Sequence, residues 1–264
     1  MHFETKGRLA IIPSLAASEE RLIIVGDIHG DLYSFNTIKK LFIPDNDLLI
    51  FLGDYADRGP DSVEIVEGVQ ELIKSYPERI IPLKGNHECF TPEGEPIFSP
   101  CTLIEEVEVK RGNWSSYVEK LRKDFLDRLY LSAIIPEEVL FVHGGISGVI
   151  RGEEDLIKPN EFVEEDILWS DPYEVKGEYG NPRGAGVLFG PDISEEVTRR
   201  LNVKYIIRSH EPRKASSGPF IMHEGRIVTI SSTRVYGGRS FVLILPFKDL
   251  PKGGNEIEKY VFFL

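Results

Sequence analysis

At 264 residues, 41% of them hydrophobic and with a mean hydropathy of -0.16, the chain has the size and composition of one globular domain, 1–264, able to bury a proper core. A formal charge of -12 excludes nucleic acid as the main partner, since backbone phosphates need a basic face, and no apolar run approaches the roughly 18 residues that cross a bilayer. Two cysteines make no disulfide framework and residues 1–20 show no signal-like start, so we expect a reducing cytoplasm, no membrane, and independent thiols at Cys89 and Cys101.

Residues 1–20 carry little pattern and read as a lead-in packed on the body of the domain. Leu22 to Val25 is a short β-branched run, the mark of a buried strand, and it opens into Gly26-Asp27-Ile28-His29-Gly30 before a helical spacing from Asp31 to Phe42. The unit then recurs. Asp47 to Leu52 opens into Gly53-Asp54-Tyr55-Ala56-Asp57-Arg58-Gly59-Pro60, and the helix predicted from Asp61 to Ser75 turns Ile65, Val69, Leu72 and Ile73 inward. Arg79 to Leu83 opens into Lys84-Gly85-Asn86-His87-Glu88. Such units predict a sheet with parallel pairing whose polar turns share one edge, where open α/β sheets put their ligands. Phe90 to Gly112 breaks the rhythm with prolines, glycines and acids and reads as a surface excursion near the site. A helix follows from Ser115 to Leu129, with Ser115 or Ser116 as its cap. The second half reads as strands: Leu131 to Ile135, Val139 to Val142, Val203 to Ile207, Phe220 to His223, Arg226 to Ser231 and Phe241 to Pro246.

Two of these late strands run into histidine, at His143-Gly144-Gly145 and Arg208-Ser209-His210. The polar strand-end set is then Asp27, His29, Asp54, Asn86, His143 and His210. Oxygen and imidazole donors in this mixture suit Mn, Fe or Zn better than Ca or a thiolate-bound metal. Six side chains are too many for one ion with open positions, whereas two ions sharing a carboxylate, roughly 3.5–4 Å apart, fit the chemistry of in-line displacement at phosphorus. Taken singly, an Asp beside Gly is ordinary turn chemistry and a lone strand-end His is more often a satisfied core residue; the repetition after successive strands argues for a metal centre. Arg208, two residues before His210, points to the other strand face and reads as support for the site. Glu88 reads as buried support, Cys89 as a packing thiol, and His2 and His223 as ordinary surface or core residues.

The blocks Gly26 to Gly30, Gly53 to Gly59 and Gly85 to Glu88 resemble the signature motifs of the phosphoprotein phosphatase (PPP) family of metal-dependent Ser/Thr phosphatases. His143-Gly144-Gly145, Leu168-Trp169-Ser170-Asp171-Pro172, Asn181-Pro182-Arg183-Gly184, Phe189-Gly190 and Arg208-Ser209-His210 agree in order and type with the type 1 and 2A catalytic subunits, over roughly residues 20 to 240. The resemblance implies a calcineurin-like metallophosphoesterase fold: α/β, a central β-sandwich of mixed sheets flanked by helices, with a dinuclear metal site at strand C-terminal ends. It implies two divalent ions, Mn first and Fe or Zn as alternatives. Asp27, His29 and Asp54 would hold the first, with Asp54 bridging to a second held by Asn86, His143 and His210. His87 matches the general acid, Asp57 the carboxylate that hydrogen-bonds it, Arg58 and Arg183 the phosphate clamp, Asn86 a further phosphate contact and Tyr236 a tyrosine lining the pocket. The implied activity is hydrolysis of phosphoserine and phosphothreonine by direct attack of a metal-bridging hydroxide, with phosphorylated proteins or peptides as partners.

The chain departs from the eukaryotic pattern at Ser231 to Gly238, where the family's asparagine and cysteine are missing, and at Phe90 to Asn113, which has no placed counterpart. Its size and reduced loops resemble a prokaryotic, archaeal-type member. Rival expectations are a broad phosphatase that also takes phosphotyrosine or small esters, a dinucleoside tetraphosphate hydrolase, and a catalytically dead phosphate-binding scaffold. Glu88, where the tetraphosphatases have aspartate, argues against the second. The intact ligand set argues against the third.

Overall fold

Alternating apolar strands assemble into two sheets that face each other. A computed structural model describes residues 3–14 and 19–264. The five-stranded sheet has the order Val261–Phe263, Phe241–Pro246, Arg21–Val25, Asp47–Phe51, Ile80–Pro82. Its last three strands pair in parallel, as the repeated units predict, and Phe241–Pro246 pairs antiparallel to Arg21–Val25. The seven-stranded sheet is mixed and runs Glu4–Lys6, Leu9–Ile11, Ser132–Ile135, Val139–Phe141, Tyr205–Arg208, Ile227–Thr229, Phe220–Met222. A small third sheet joins Asp171–Pro172, Val187–Phe189 and Glu178–Gly180.

The period of two along each strand divides the core into layers. Leu22 and Ile24 meet Val139, Phe141 and Ile207 between the two sheets, while Ile23 and Val25 face a second cluster under helices Leu32–Leu41, Ser62–Ser75, Leu103–Lys110 and Trp114–Asp124. On the far side, Leu140, Val142 and Ile206 pack against helices Glu153–Ile157, Glu161–Trp169 and Pro191–Arg200. The result is a β-sandwich of mixed sheets with helices on both outer faces.

Several expectations need correction. The described part of the lead-in is sheet, because Leu9 and Ala10 are buried and pair with Ser132–Ile135; His2 lies outside the described residues. The helix predicted from Ser115 is capped two residues earlier, by the Asn113 side chain accepting from Ser116 N, and gives way after Asp124 to a 3₁₀ turn. The second half holds three helices that the strand reading missed. Pro191–Arg200 carried a readable signature: proline in its first turn with Asp192, and Arg199 and Arg200 at its end. The excursion after His87 is no loose surface loop: Phe98, Leu103 and Val107 are buried in it, and Glu106 accepts from Ser62 N and Val63 N at 2.9 Å each, capping the helix Ser62–Ser75. Cys89 and Cys101 are both free, as expected, and burial pushes their thiols up to about 11 and about 12.

Candidate active site

Strands Arg21–Val25, Asp47–Phe51 and Ile80–Pro82 of one sheet, and Val139–Phe141 and Tyr205–Arg208 of the other, end at the same rim, so five polar turns meet there. Backbone ties hold the two sheets together at this point. Asp27 bridges to Ser231, Ser232 N donates to Asp27 O at 3.0 Å, and the Ser209 hydroxyl accepts from Asp27 N at 2.8 Å. The turns pack too closely for side chains on their glycines. A Cβ on Gly53 would lie 2.4 Å from Gly85 N, and one on Gly85 2.3 Å from Asp54 Oδ1. Among the described residues, nine non-glycine residues have positive φ, and five of them, His29, Asp54, Asp57, Arg58 and His210, stand in these turns. Left-handed backbone on such residues persists only where the surroundings over-determine it.

The polar strand-end set does converge. His143 Nε2 lies 3.0 Å from Asn86 Oδ1, 3.2 Å from His210 Nδ1 and 3.3 Å from Asp54 Oδ1. His29 Nε2 lies 3.4 Å from Asp54 Oδ2 and 3.7 Å from Asp27 Oδ2. Tautomers follow from the outer hydrogen bonds: His29 Nδ1 faces the Ala56 carbonyl at 2.9 Å and His143 Nδ1 the Leu52 carbonyl at 2.8 Å. A carbonyl only accepts, so both Nδ1 atoms carry hydrogen and both Nε2 lone pairs point at the carboxylates, the arrangement of a metal-ligating imidazole. Burial holds both rings neutral, with pKa lowered to about 4 despite the pull of Asp27. Burial, then the charges of Asp27 and Glu88, push the Asp54 carboxyl well above its ordinary range. Asp27 Oδ2 and His210 Nε2 are buried without a hydrogen-bond partner. Crowded carboxylates, inward lone pairs and an orphaned oxygen are what a cation would satisfy, so these residues fit divalent metal.

Donor atoms of Asp54, His143 and His210 lie within 4.8 Å of one another, and so do those of His29, Asp54 and His87. Asp27 Oδ2, 3.7 Å from His29 Nε2, stands beside the second group. His87 Nδ1 is 2.7 Å from Asp57 Oδ2, and its ring lies between His29 and Phe98, with centroids 5.0 and 4.6 Å away. The other Asp57 oxygen accepts from Thr102 N at 2.6 Å and Leu103 N at 2.9 Å. Burial opposes the Asp57 charge, yet the hydrogen bond and charge of His87 with these two N–H groups hold its carboxyl below the usual value. Glu88 turns away from the cleft and accepts from the backbone N–H of Asp54, Tyr55 and Gly85, and burial raises it to about 7 against their pull.

A cleft of about 560 Å³ opens over these groups, lined by His29, Asp54, Asn86, His87, Arg58, Arg183 and Tyr236 among others. Arg183 Nε donates to Asp171 Oδ2 at 2.7 Å, and the fully buried Arg208 donates to Asp171 Oδ1 at 2.8 Å and to Glu211 at 2.7 Å. Among the described residues Arg58 is tied only to the Ser99 carbonyl, at 3.4 Å. The Tyr236 ring stands edge-on to His29, with centroids 5.5 Å apart. Sequence reading missed the Thr102 and Leu103 grip on Asp57, the Phe98 contact and the Asp171 link between two arginines. Asp171 lies in a block that the resemblance picks out without giving it a role. Thr102 and Leu103 hold Asp57 chiefly through backbone N–H groups, which have no residue signature, and Phe98 sits in a segment whose path the sequence does not fix. His223 is an ordinary core residue, held between Ser194 and the Tyr173 carbonyl.

Residues 20–214 match the family model described as calcineurin-like phosphoesterase. The chain belongs to that family, and its fold and donor set are those of a metal-dependent phosphoester hydrolase. Among solved structures, it is similar to a protein serine/threonine phosphatase from Saccharomyces cerevisiae with similarity to human phosphatase PP5: 23% identity, 98% of this chain and 83% of that one, TM-score 0.78. It also resembles a putative diadenosine tetraphosphatase, at 16% identity over 96% of both chains with TM-score 0.53. A cold-active protein-tyrosine phosphatase of a psychrophilic Shewanella matches at 15% identity over 94% of this chain and 80% of that one, with TM-score 0.59. At these identities the likenesses are of fold. Among the described residues, no helix is long and apolar enough to cross a membrane.

Proposed function

We propose that this phosphoesterase is a protein serine/threonine phosphatase, acting as one catalytic domain on phosphorylated proteins or peptides in the cytoplasm. The observation that carries the reading is the cleft itself, where the guanidinium groups of Arg58 and Arg183 and a carboxylate-held imidazole line one space with the cluster of metal-type donors. Asp27, His29 and Asp54 would hold one divalent ion, and Asp54, Asn86, His143 and His210 the other, with Mn first and Fe or Zn as alternatives. When bound, the ions supply Lewis-acid charge and make water acidic enough to act near neutral pH. His87, its Nδ1–H directed to Asp57, keeps Nε2 for the cleft and donates a proton to the departing seryl or threonyl oxygen. Arg58, Arg183 and Asn86 bind the phosphoryl oxygens, with Tyr236 on the wall, and the guanidinium groups match the charge that spreads over those oxygens in the transition state.

The test is to strip the protein of metal and assay it with and without Mn²⁺ on phosphoserine, phosphothreonine and phosphotyrosine peptides and on a dinucleoside tetraphosphate. Metal-dependent release of phosphate from the first two is expected, and preference for the dinucleotide overturns the reading. The volume of the cleft favours one second reading, a broad phosphatase. Phosphotyrosine turnover equal to that of phosphothreonine would select it.

A further inference from the structure

We propose that Arg213 forms a second anion site at the mouth of the cleft, selecting phosphopeptides that carry another negative group, an acidic side chain or a second phosphate, beside the scissile phosphate. The proposal rests on the phosphoprotein reading above and adds to it a substrate class.

Arg213 lies outside every motif that the resemblance covers, yet it lines the same cleft as Arg58, Arg183 and Tyr236. Its guanidinium lies over the Tyr236 ring, 5.7 Å from the centroid, and the same ring stands edge-on to His29. Arg213 therefore stands one ring beyond the metal-type donors. Arg58, held among the described residues by the Ser99 carbonyl, is the cation already given to the scissile phosphate, and the other neighbouring cations of the rim are matched. Arg183 pairs with Asp171, Lys214 with Glu211 at 2.7 Å and Arg234 with Asp31 at 2.9 Å. Among the described residues Arg213 has no carboxylate within salt-bridge reach and no hydrogen-bond partner; the Tyr236 ring is what holds it. This exposed guanidinium, in a chain of net charge -12, has no counter-charge among the described residues, and it faces the cleft.

Shape agrees with charge. About 560 Å³ is space for a ligand much larger than a phosphoryl group, since roughly 300–1,000 Å³ is usual for whole small-molecule ligands. An extended peptide advances roughly 3.3 Å per residue, so a side chain one to three residues from the phosphorylated one reaches a guanidinium one ring away. The planar, forked donors of arginine suit a carboxylate or a phosphate equally, and stacking on an aromatic face holds the fork in place without neutralising it.

The experiment uses the Mn²⁺-loaded enzyme and phosphothreonine peptides of one length. They carry Asp, phosphoserine, Asn or Lys at each position up to three residues on either side. At about 50 mM salt, kcat/KM should favour the best acidic peptide over its Asn counterpart by about three- to tenfold, and the ratio should shrink at about 500 mM salt, as screening of an exposed pair requires. Arg213→Gln should abolish the ratio, Arg213→Lys should keep part of it, and Arg213→Glu should turn the preference toward the Lys peptide. A larger gain from phosphoserine than from Asp would assign the site to a second phosphate; equal gains would assign it to charge alone. Equal kcat/KM on acidic and neutral peptides by the native enzyme, or an undiminished ratio in Arg213→Gln, overturns the subsite while leaving the phosphatase reading intact. Failure to hydrolyse any phosphopeptide, with turnover of the dinucleotide, overturns both.

Discussion

The cleft has two flanks, and in each a working side chain is held by a carboxylate that is itself held. On one flank His87 leans on Asp57, whose other oxygen accepts from neutral donors, the backbone N–H groups of Thr102 and Leu103 and the Thr102 hydroxyl. On the other, Arg183 leans on Asp171, which is shared with the buried guanidinium of Arg208. The charge sums differ. His87 when protonated and Asp57 cancel, leaving a proton to give and little field. Arg183, Arg208 and Lys214 outnumber Asp171 and Glu211 by three to two, leaving one positive charge toward an incoming phosphate. The first flank is built to move a proton and the second to keep a charge, so damage to each should show in different measurements.

The largest effect is expected on the proton flank. His87→Asn should lower kcat on a phosphoserine peptide by about 10²–10⁴-fold, with far less loss on p-nitrophenyl phosphate, whose leaving group hardly needs protonation. Equal losses on the two substrates would remove His87 from the acid role. On the charge flank the first casualty is stability. Arg208→Met takes the buried guanidinium from between Asp171 and Glu211, leaving them Arg183 and Lys214, and should cost about 2 kcal/mol, read from urea unfolding. A stable Arg208→Met protein with native KM would show that the link is dispensable. Asp57→Asn should be milder than loss of His87 itself, about 10- to 100-fold in kcat with KM little changed, as for removal of an orienting partner. A rise in KM alone would contradict the division of labour between the flanks.

The smallest effect is in pH. Asp57 and Asp171 both titrate below the usual 3.8 in the folded chain, burial being outweighed by the His87 hydrogen bond in one case and by the Arg208 and Arg183 charges in the other. A depressed carboxyl stabilises the fold above its unfolded pKa, and the gain is lost as pH falls through the folded value. The stability gap between native protein and Asp57→Asn should therefore hold steady from about pH 7 to about pH 5 and close below about pH 4. A gap that widens in acid would mean that the carboxyl is not held ionised.

The same two flanks show what was legible in the sequence. Strand and polar turn could be read three times over because each turn follows a run such as Leu22 to Val25 that only a buried strand accommodates. Asp27, His29, Asp54, Asn86, His143 and His210 stood out as polar groups at the ends of such runs, and the structure brings them together. Asp57 could be named, but not what holds it, because Thr102 and Leu103 act through backbone N–H groups from a segment 45 residues on. Arg208 was readable as support; that Asp171 is the group it supports depends on the fold bringing residues 37 apart into contact. Short acidic helices such as Glu161–Trp169 escaped because their apolar face is too brief to set a period.

The left-handed turns bear on how this centre can be dissected. At Asp54 (φ 53°) and Asp57 (φ 69°) an asparagine tolerates the same conformation through its short polar side chain, so an amide swap removes charge and little else. Alanine in that conformation lacks such help and is penalised by roughly 1–2 kcal/mol. A routine alanine scan of this rim would therefore mix conformational damage with lost chemistry, whereas isosteric replacements keep the two apart.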